Sequence, residues 1–232
     1  MPEVFVAVVS RVRGTVLDVG ANTGLYSLLA TAAGAERVVA FEPFAPVLGQ
    51  LRENLRANDP VLTARIDVVP YAVADTAGTA ALHVPPPTGG YIETSASLSA
   101  TFKDEIASTQ QVPVVTVDGH VGVDGPTSVL KVDVEGMDHL VLEGARACLA
   151  EHRPLTFIEV LPRAEMRQMQ EIVDGCDYTI VPLWADRADV ASSVEFHADA
   201  HNQLLVPTEQ SEEILEVVSA TVGSDGGGGR AR

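Results

Sequence analysis

Cysteine, tryptophan and basic residues are all scarce in this 232-residue chain. The two cysteines, Cys148 and Cys176, supply neither a disulfide framework nor a metal-binding spacing, and a reducing compartment is the simplest setting for them. Lys and Arg number 15 against 32 Asp and Glu, leaving a formal net charge of −17. That sign argues against unassisted binding to nucleic acid or to an anionic membrane, both of which need a basic surface. It identifies no partner, because solubility explains it equally well. No stretch approaches the roughly 18 uncharged apolar residues of a membrane span, and no basic segment precedes an apolar one as in a secretory leader, so a cytoplasmic protein is expected. Apolar residues make up 46% of the chain, and the length suits one domain with a full core.

Residues 4–12 fit either a short helix or an opening strand. Apolar runs predict strands at 15–19, 37–41, 66–71, 79–84, 128–134, 155–160, 178–183 and 203–206, with 112–117 extended. Helices are predicted at 23–33 ending on Gly34, at 45–58 with Leu48, Leu51 and Leu55 on one face, near 138–151, at 164–174, and at 211–222 with Ser211 as N-cap. Residues 85–111 break the pattern and read as a functional loop or lid. Strands alternating with helices mean a Rossmann-like α/β fold, an open, mostly parallel sheet with helices on both faces. The domain is expected over 1–222, and 223–232, with four consecutive glycines, as a disordered tail. Ligands of such sheets bind at the carboxyl ends of the strands, where strand order reverses.

The stretch VLDVGANTG at 16–24 puts an acid, Asp18, at the end of a buried strand, with Gly20 and Gly24 in the turn that follows. Glycines there let backbone approach a ligand, next to the positive end of the following helix. A dinucleotide turn would read G-x-G-x-x-G; here the middle glycine is missing, and Asp18 would repel a phosphate. A cationic ligand such as S-adenosylmethionine suits the turn better. Glu42 ends the second strand, where a carboxylate can accept both hydroxyls of a ribose. A second stretch, LKVDVEGMDHLVLEGA at 130–145, places Lys131, Asp133 and Glu135 on alternate positions of a strand, on one face, each about 6.6 Å from the next. Buried charges are costly unless paired or used. Glu159 adds an acid at the end of the next strand. Together these carboxylates can place a hydroxyl nucleophile, accept its proton, or hold a divalent cation such as Mg²⁺ through Asp133 and Glu159.

These two stretches, with VVAFEP, AVADTAG and RPLTFIEV in this order, resemble the FkbM family of S-adenosylmethionine-dependent methyltransferases over roughly residues 15–207. The resemblance implies a seven-stranded sheet whose last strand is antiparallel, and methylation of a hydroxyl on a sugar, polyketide or other small metabolite. It implies that Asp18, Gly20, Asn22 and Gly24, with Ala21, hold the methionine part of the donor. Glu42 and Pro43 would lie at the ribose, and Tyr71 and Ala72 near the adenine. The catalytic candidates are Asp133, Glu135, Lys131 and Glu159. Two departures stand out. Gly119-His120 follows Asp118 where the family usually has a second acid, and the chain begins about fifteen residues before the first strand, so part of a substrate lid is expected to be missing. A non-catalytic S-adenosylmethionine-binding subunit is the alternative from another class, and an NAD-dependent dehydrogenase a weaker third. A homodimer is compatible with the sequence.

His139 stands in the first turn after Glu135, as a base or a helix residue. His197 and His201 are i, i+4 neighbours without a third metal ligand. Pro182 and Trp184 are candidates for an apolar wall beside the acceptor, whose pocket is expected from the loops at 85–111 and 185–202.

Overall fold

A computed structural model describes residues 1–87, 95–102, 104–121 and 126–224. In chain order its elements are α1 (Pro2–Val9), β1 (Thr15–Val19), α2 (Leu25–Ala32), β2 (Arg37–Phe41), α3 (Ala45–Arg56), α4 (Pro60–Thr63), β3 (Ile66–Val69), β4 (Ala72–Val73), β5 (Gly78–Val84), β6 (Ser108–Val115), α5 (Val117–His120), β7 (Thr127–Val132), α6 (Asp138–Glu143), α7 (Arg146–Glu151), β8 (Leu155–Glu159), α8 (Met166–Cys176), β9 (Tyr178–Pro182), β10 (Asn202–Pro207) and α9 (Ser211–Ser224). Seven strands form one sheet in the order β3-β2-β1-β7-β8-β10-β9. The pairs β2–β3, β1–β2, β1–β7 and β7–β8 are parallel, whereas β10 is antiparallel to both its neighbours. This is the Rossmann-like sheet anticipated from the sequence. The chain steps outward from β1 to β3 and returns on the other side of β1 as β7, so strand order reverses between β1 and β7.

Period-two alternation sorts the side chains of the central strands into two apolar layers. Val16 and Val129 pack with Phe5 of α1, Ala30 of α2 and Val218 of α9. Leu17, Val19, Leu130 and Val132 pack on the opposite face with Val141, Leu149 and Met169. Asp18 and Lys131, two residues beyond Val16 and Val129, therefore face the first layer, and they are register partners across β1 and β7. A small sheet, β4-β6-β5, carries its own cluster around Leu82, Val112 and Val114. Among the described residues, no helix is long and apolar enough to cross a membrane.

The structure chooses a helix for the first segment because Val4, Phe5, Val8 and Val9 make one buried stripe at helical spacing. The Phe5 ring meets Tyr26 edge-on at 5.0 Å and lies 5.2 Å from Phe157. Other boundaries move for identifiable reasons. The helix expected near 138–151 is two helices, broken at Gly144, where a Cβ would stand 2.2 Å from the Ala74 carbonyl oxygen. The expected loop 85–111 ends early, because Ser108 to Gln111 pair with β5 as the start of β6. Ser211 is not an N-cap: a 3-10 turn, Thr208–Gln210, precedes it, and its hydroxyl donates to the Thr208 carbonyl. α9 runs into the expected tail as far as Ser224, and 225–232 lie outside the described residues.

Asp118, which lacks the second acid common in the resembling family, works instead as a helix cap at long range. Its carboxylate accepts from the backbone N–H of Ala147 at 3.0 Å and of Cys148 at 2.8 Å, at the start of α7. Asp118→Ala is expected to cost about 1 kcal/mol, the usual value of a lost cap. Urea denaturation measures it, and an unchanged midpoint would remove the cap from the stability of this fold.

Candidate active site

The turn after β1 is tied to the end of β2: the N–H groups of Gly20 and Ala21 both donate to the Phe41 carbonyl, at 3.1 and 2.9 Å. Gly20, Asn22 and Gly24 all have left-handed φ, at 76°, 51° and 88°. The structure adds a packing reason for the glycines to the one expected from the sequence. A Cβ on Gly20 would lie 1.9 Å from the Asp133 carbonyl oxygen, and one on Gly24 would press on Leu51 at 3.2 Å. The protein's own packing, with the turn wedged between the end of β7 and α3, demands them.

Beside this turn opens a cleft with a cavity volume of about 100 Å³. Gly20, Asn22, Glu42, Pro43, Tyr71, Ala72, Asp133 and Glu135, all anticipated from the sequence, line it. Leu82, Ala96 and Leu98 give it an apolar wall from the small sheet and the segment after it. Glu42 is held at its floor. Its Oε2 accepts from the Asn22 N–H at 3.0 Å and its Oε1 from the Phe44 N–H at 2.8 Å. Burial pushes its pKa up to about 7, with the two backbone donors pulling the other way.

Five anticipated residues do not line the cleft: Asp18, Ala21, Gly24, Lys131 and Glu159. Asp18 is fully buried; its Oδ2 accepts from the Ser27 hydroxyl at 2.6 Å. It sits behind the turn, where the sequence reading had it holding the donor's methionine part directly. Lys131 is buried with it, 3.8 Å from Asp18 Oδ1, and donates to Asp133 Oδ2 at 3.2 Å. The expected alternation of Lys131, Asp133 and Glu135 along one strand stops early. β7 ends at Val132, and Glu135, at φ 59°, and Gly136, at φ 86°, turn the chain towards α6. Glu135 is thus a turn residue, removed from the strand face.

The acid that sequence reasoning missed is Asp138, in the first turn of α6. It is fully buried, its Oδ1 accepts from the Glu159 N–H at 3.3 Å, and its Oδ2 has no hydrogen-bond partner. Burial, with Asp133 nearby, pushes its pKa up to about 8. Glu159, at the end of β8, is likewise raised to about 7 by burial and by Asp133. Only a helix-start acid was visible in the sequence, which looks like an ordinary exposed residue complementing the helix dipole. Among the described residues, no group of three or more His, Cys, Asp and Glu side chains is placed to hold a metal ion. The Mg²⁺ site expected through Asp133 and Glu159 is not assembled: the Lys131 ammonium stands on Asp133 Oδ2.

A second, larger cavity of about 280 Å³ adjoins the first through Glu135, which lines both. Phe102, Leu161 and Pro162 give it apolar walls, and Ser99, Thr101 and Arg163 a polar rim. The segment carrying Ser99 is stapled to the turn after β7 by the Ser97 hydroxyl, which donates to the Glu135 carbonyl at 3.0 Å. The loop at 185–202 contributes no residue to either cavity. Trp184, expected at the acceptor, packs instead against His197 and Arg187, and His201 against Phe196. His139 is buried outside both cavities, and burial lowers its pKa.

A family model of the methyltransferase FkbM domain matches residues 18–189, most of the chain. This chain belongs to the FkbM methyltransferase family. The crystal structure of the methyltransferase FkbM from Methylobacillus flagellatus shares the fold, with a TM-score of 0.52 and 18% identity over 83% of this chain and 43% of that one. The precorrin-6y C5,15-methyltransferase of Geobacter metallireducens overlaps with a TM-score of 0.46 and 10% identity, covering 88% of this chain and 84% of its own. Over 46 residues the chain is 61% identical to the AMB antimetabolite synthetase AmbE of Pseudomonas aeruginosa, a match spanning 19% of this chain and 2% of AmbE. The chain thus spans less than half of the solved FkbM methyltransferase and a small fraction of AmbE.

Proposed function

We propose that this FkbM-family chain is an S-adenosylmethionine-dependent O-methyltransferase acting on a hydroxyl of a small molecule. Glu42 is the observation that carries the reading. It is a carboxylate set at the end of β2, bonded by two backbone N–H groups and turned into a cleft at the switch point of the sheet. Each of its oxygens keeps lone-pair capacity for a second donor, which suits the two hydroxyls of a ribose. A phosphate would find acids here: Glu42, Asp133 and Glu135 line the cleft, and among the described residues no Lys, Arg or His does. A cationic donor fits that lining. S-adenosylmethionine, when bound, supplies an electrophilic methyl group on a positively charged sulfur. Tyr71 and Ala72 form the wall against which an adenine would stack. Asp133, at the opposite end of the cleft from Tyr71 in the order of strands, accepts the proton of the acceptor hydroxyl. The second cavity, opening past Glu135, takes the acceptor: its Phe102, Leu161 and Pro162 suit an apolar body, and Ser99 and Thr101 suit hydroxyl groups on it. Positioning of two bound molecules supplies most of the rate.

Calorimetry with S-adenosylmethionine, S-adenosylhomocysteine and NAD tests the reading. Binding of NAD alone would overturn it. The same titration carries a pH dependence. Glu42, with its pKa at about 7, is largely protonated below that pH and ionised above it. An ionised carboxylate accepts from both hydroxyls, whereas a protonated one must spend an oxygen as donor. The affinity for S-adenosylhomocysteine is therefore expected to rise between about pH 6 and about pH 8, and to lose this dependence in Glu42→Gln. An affinity that is flat or falls across this range contradicts the role given to Glu42.

A further inference from the structure

Lys131 touches neither cavity, yet its side chain is 3% exposed in the midst of the acids. Its Nζ lies 3.2 Å from Asp133 Oδ2 and 3.8 Å from Asp18 Oδ1, with the Tyr26 ring centroid 4.7 Å away. Burying an ammonium is costly unless anions compensate it, and here two do. Burial opposes the charge, but Asp133 and Asp18 outweigh it and raise the lysine's pKa. The two carboxylates differ. Asp18 is 1% exposed and anchored to α2 by the Ser27 hydroxyl, whereas Asp133 is 36% exposed at the cleft. The ammonium therefore has a rigid side in the sheet and a free-standing side at the ligand. Glu159, Asp138 and Tyr26 are the other ionisable groups that feel its charge.

We propose that Lys131 is a positioning residue that pins Oδ2 of Asp133 to the Asp18–Ser27 frame and screens the Asp133 charge from a cationic ligand in the cleft. The proposal rests on the reading of the cleft as the donor site. Pinning leaves Oδ1 as the oxygen that meets the acceptor hydroxyl. Screening keeps Asp133 from pairing with the sulfonium itself, an ion pair that would hold both groups in an unproductive arrangement. Without Lys131 the cleft would discriminate more strongly between a sulfonium and its neutral thioether product.

The test compares dissociation constants for S-adenosylmethionine, which carries the sulfonium, and S-adenosylhomocysteine, which does not. Lys131→Met combined with Asp18→Asn removes the buried pair together and keeps the interior neutral. The ratio of the two constants is expected to move towards S-adenosylmethionine by about fivefold or more at low salt, as one unscreened charge near the ligand would do. Adding Asp133→Asn should cancel the shift, and Lys131→Arg should retain the wild-type ratio. In the wild-type background, Asp133→Asn alone should change the ratio by less than about twofold, because the pinned carboxylate cannot move up to the sulfonium. This last variant keeps the buried pair and therefore the fold. A fivefold change from it, or an unchanged ratio in the folded double variant, overturns the proposal. Failure of the wild-type protein to bind either compound overturns the donor-site reading instead.

Discussion

Asp133→Asn is expected to keep the fold and the affinity for S-adenosylhomocysteine while lowering methyl transfer on the order of a hundredfold or more, the usual cost of losing a general base. The fold should survive because the amide oxygen of Asn can still accept from Lys131, whose ammonium retains Asp18 beside it. Donor affinity should survive because the ribose contacts proposed for Glu42 lie at the end of β2, on the other side of the turn after β1. The measurement is transfer of a labelled methyl group to small molecules of a cell extract, followed by mass spectrometry of the product. That experiment also identifies the acceptor. EDTA separates a proton acceptor from a metal ligand: with Lys131 on Oδ2 of Asp133, activity is expected to withstand it. Full turnover by Asp133→Asn would remove this acid from the mechanism in either role.

The second large effect is expected at Glu42. Glu42→Ala should weaken S-adenosylhomocysteine binding by about 2 kcal/mol or more, roughly thirtyfold, since two ribose hydroxyls lose a charged acceptor. Part of this comes through the protein itself. The N–H groups of Asn22 and Phe44 both lose their partner, so the turn after β1 and the start of α3 are loosened together. Glu42→Gln keeps an acceptor oxygen and should fall between the two. Calorimetry decides it, and a dissociation constant for Glu42→Ala equal to the wild-type value would reject the ribose role.

Three of these residues, with the central strands, show how far the linear chain carries the reading. Glu42 was legible because its place follows from local rules: an apolar run ends, an acid comes next, and in a parallel sheet that point lies beside the first strand's turn. The central strands were legible for the same reason, since buried parallel strands announce themselves as apolar runs. Glu135 was misread because alternation was carried past the end of its strand, and nothing local to VDVEG marks where pairing with β1 stops. Asp138 was missed because its burial comes from β8, more than fifteen residues further along the chain; an acid in a first helical turn is otherwise ordinary.

By itself, then, the sequence determined the doubly covered parallel sheet, the acid at the end of β2 and the acid after β7, because periodicity and turn chemistry are local properties. Only the tertiary structure decided what those residues face. Gly20 needs its missing side chain for the carbonyl of Asp133, 113 residues away along the chain. Asp18 and Lys131 became register partners, so that an acid read as a ligand contact and a lysine read as catalytic turned into the buried frame behind the cleft. Such pairings cost loop-closure entropy that no short window records, and their electrostatics follow from how much water the assembled neighbours exclude.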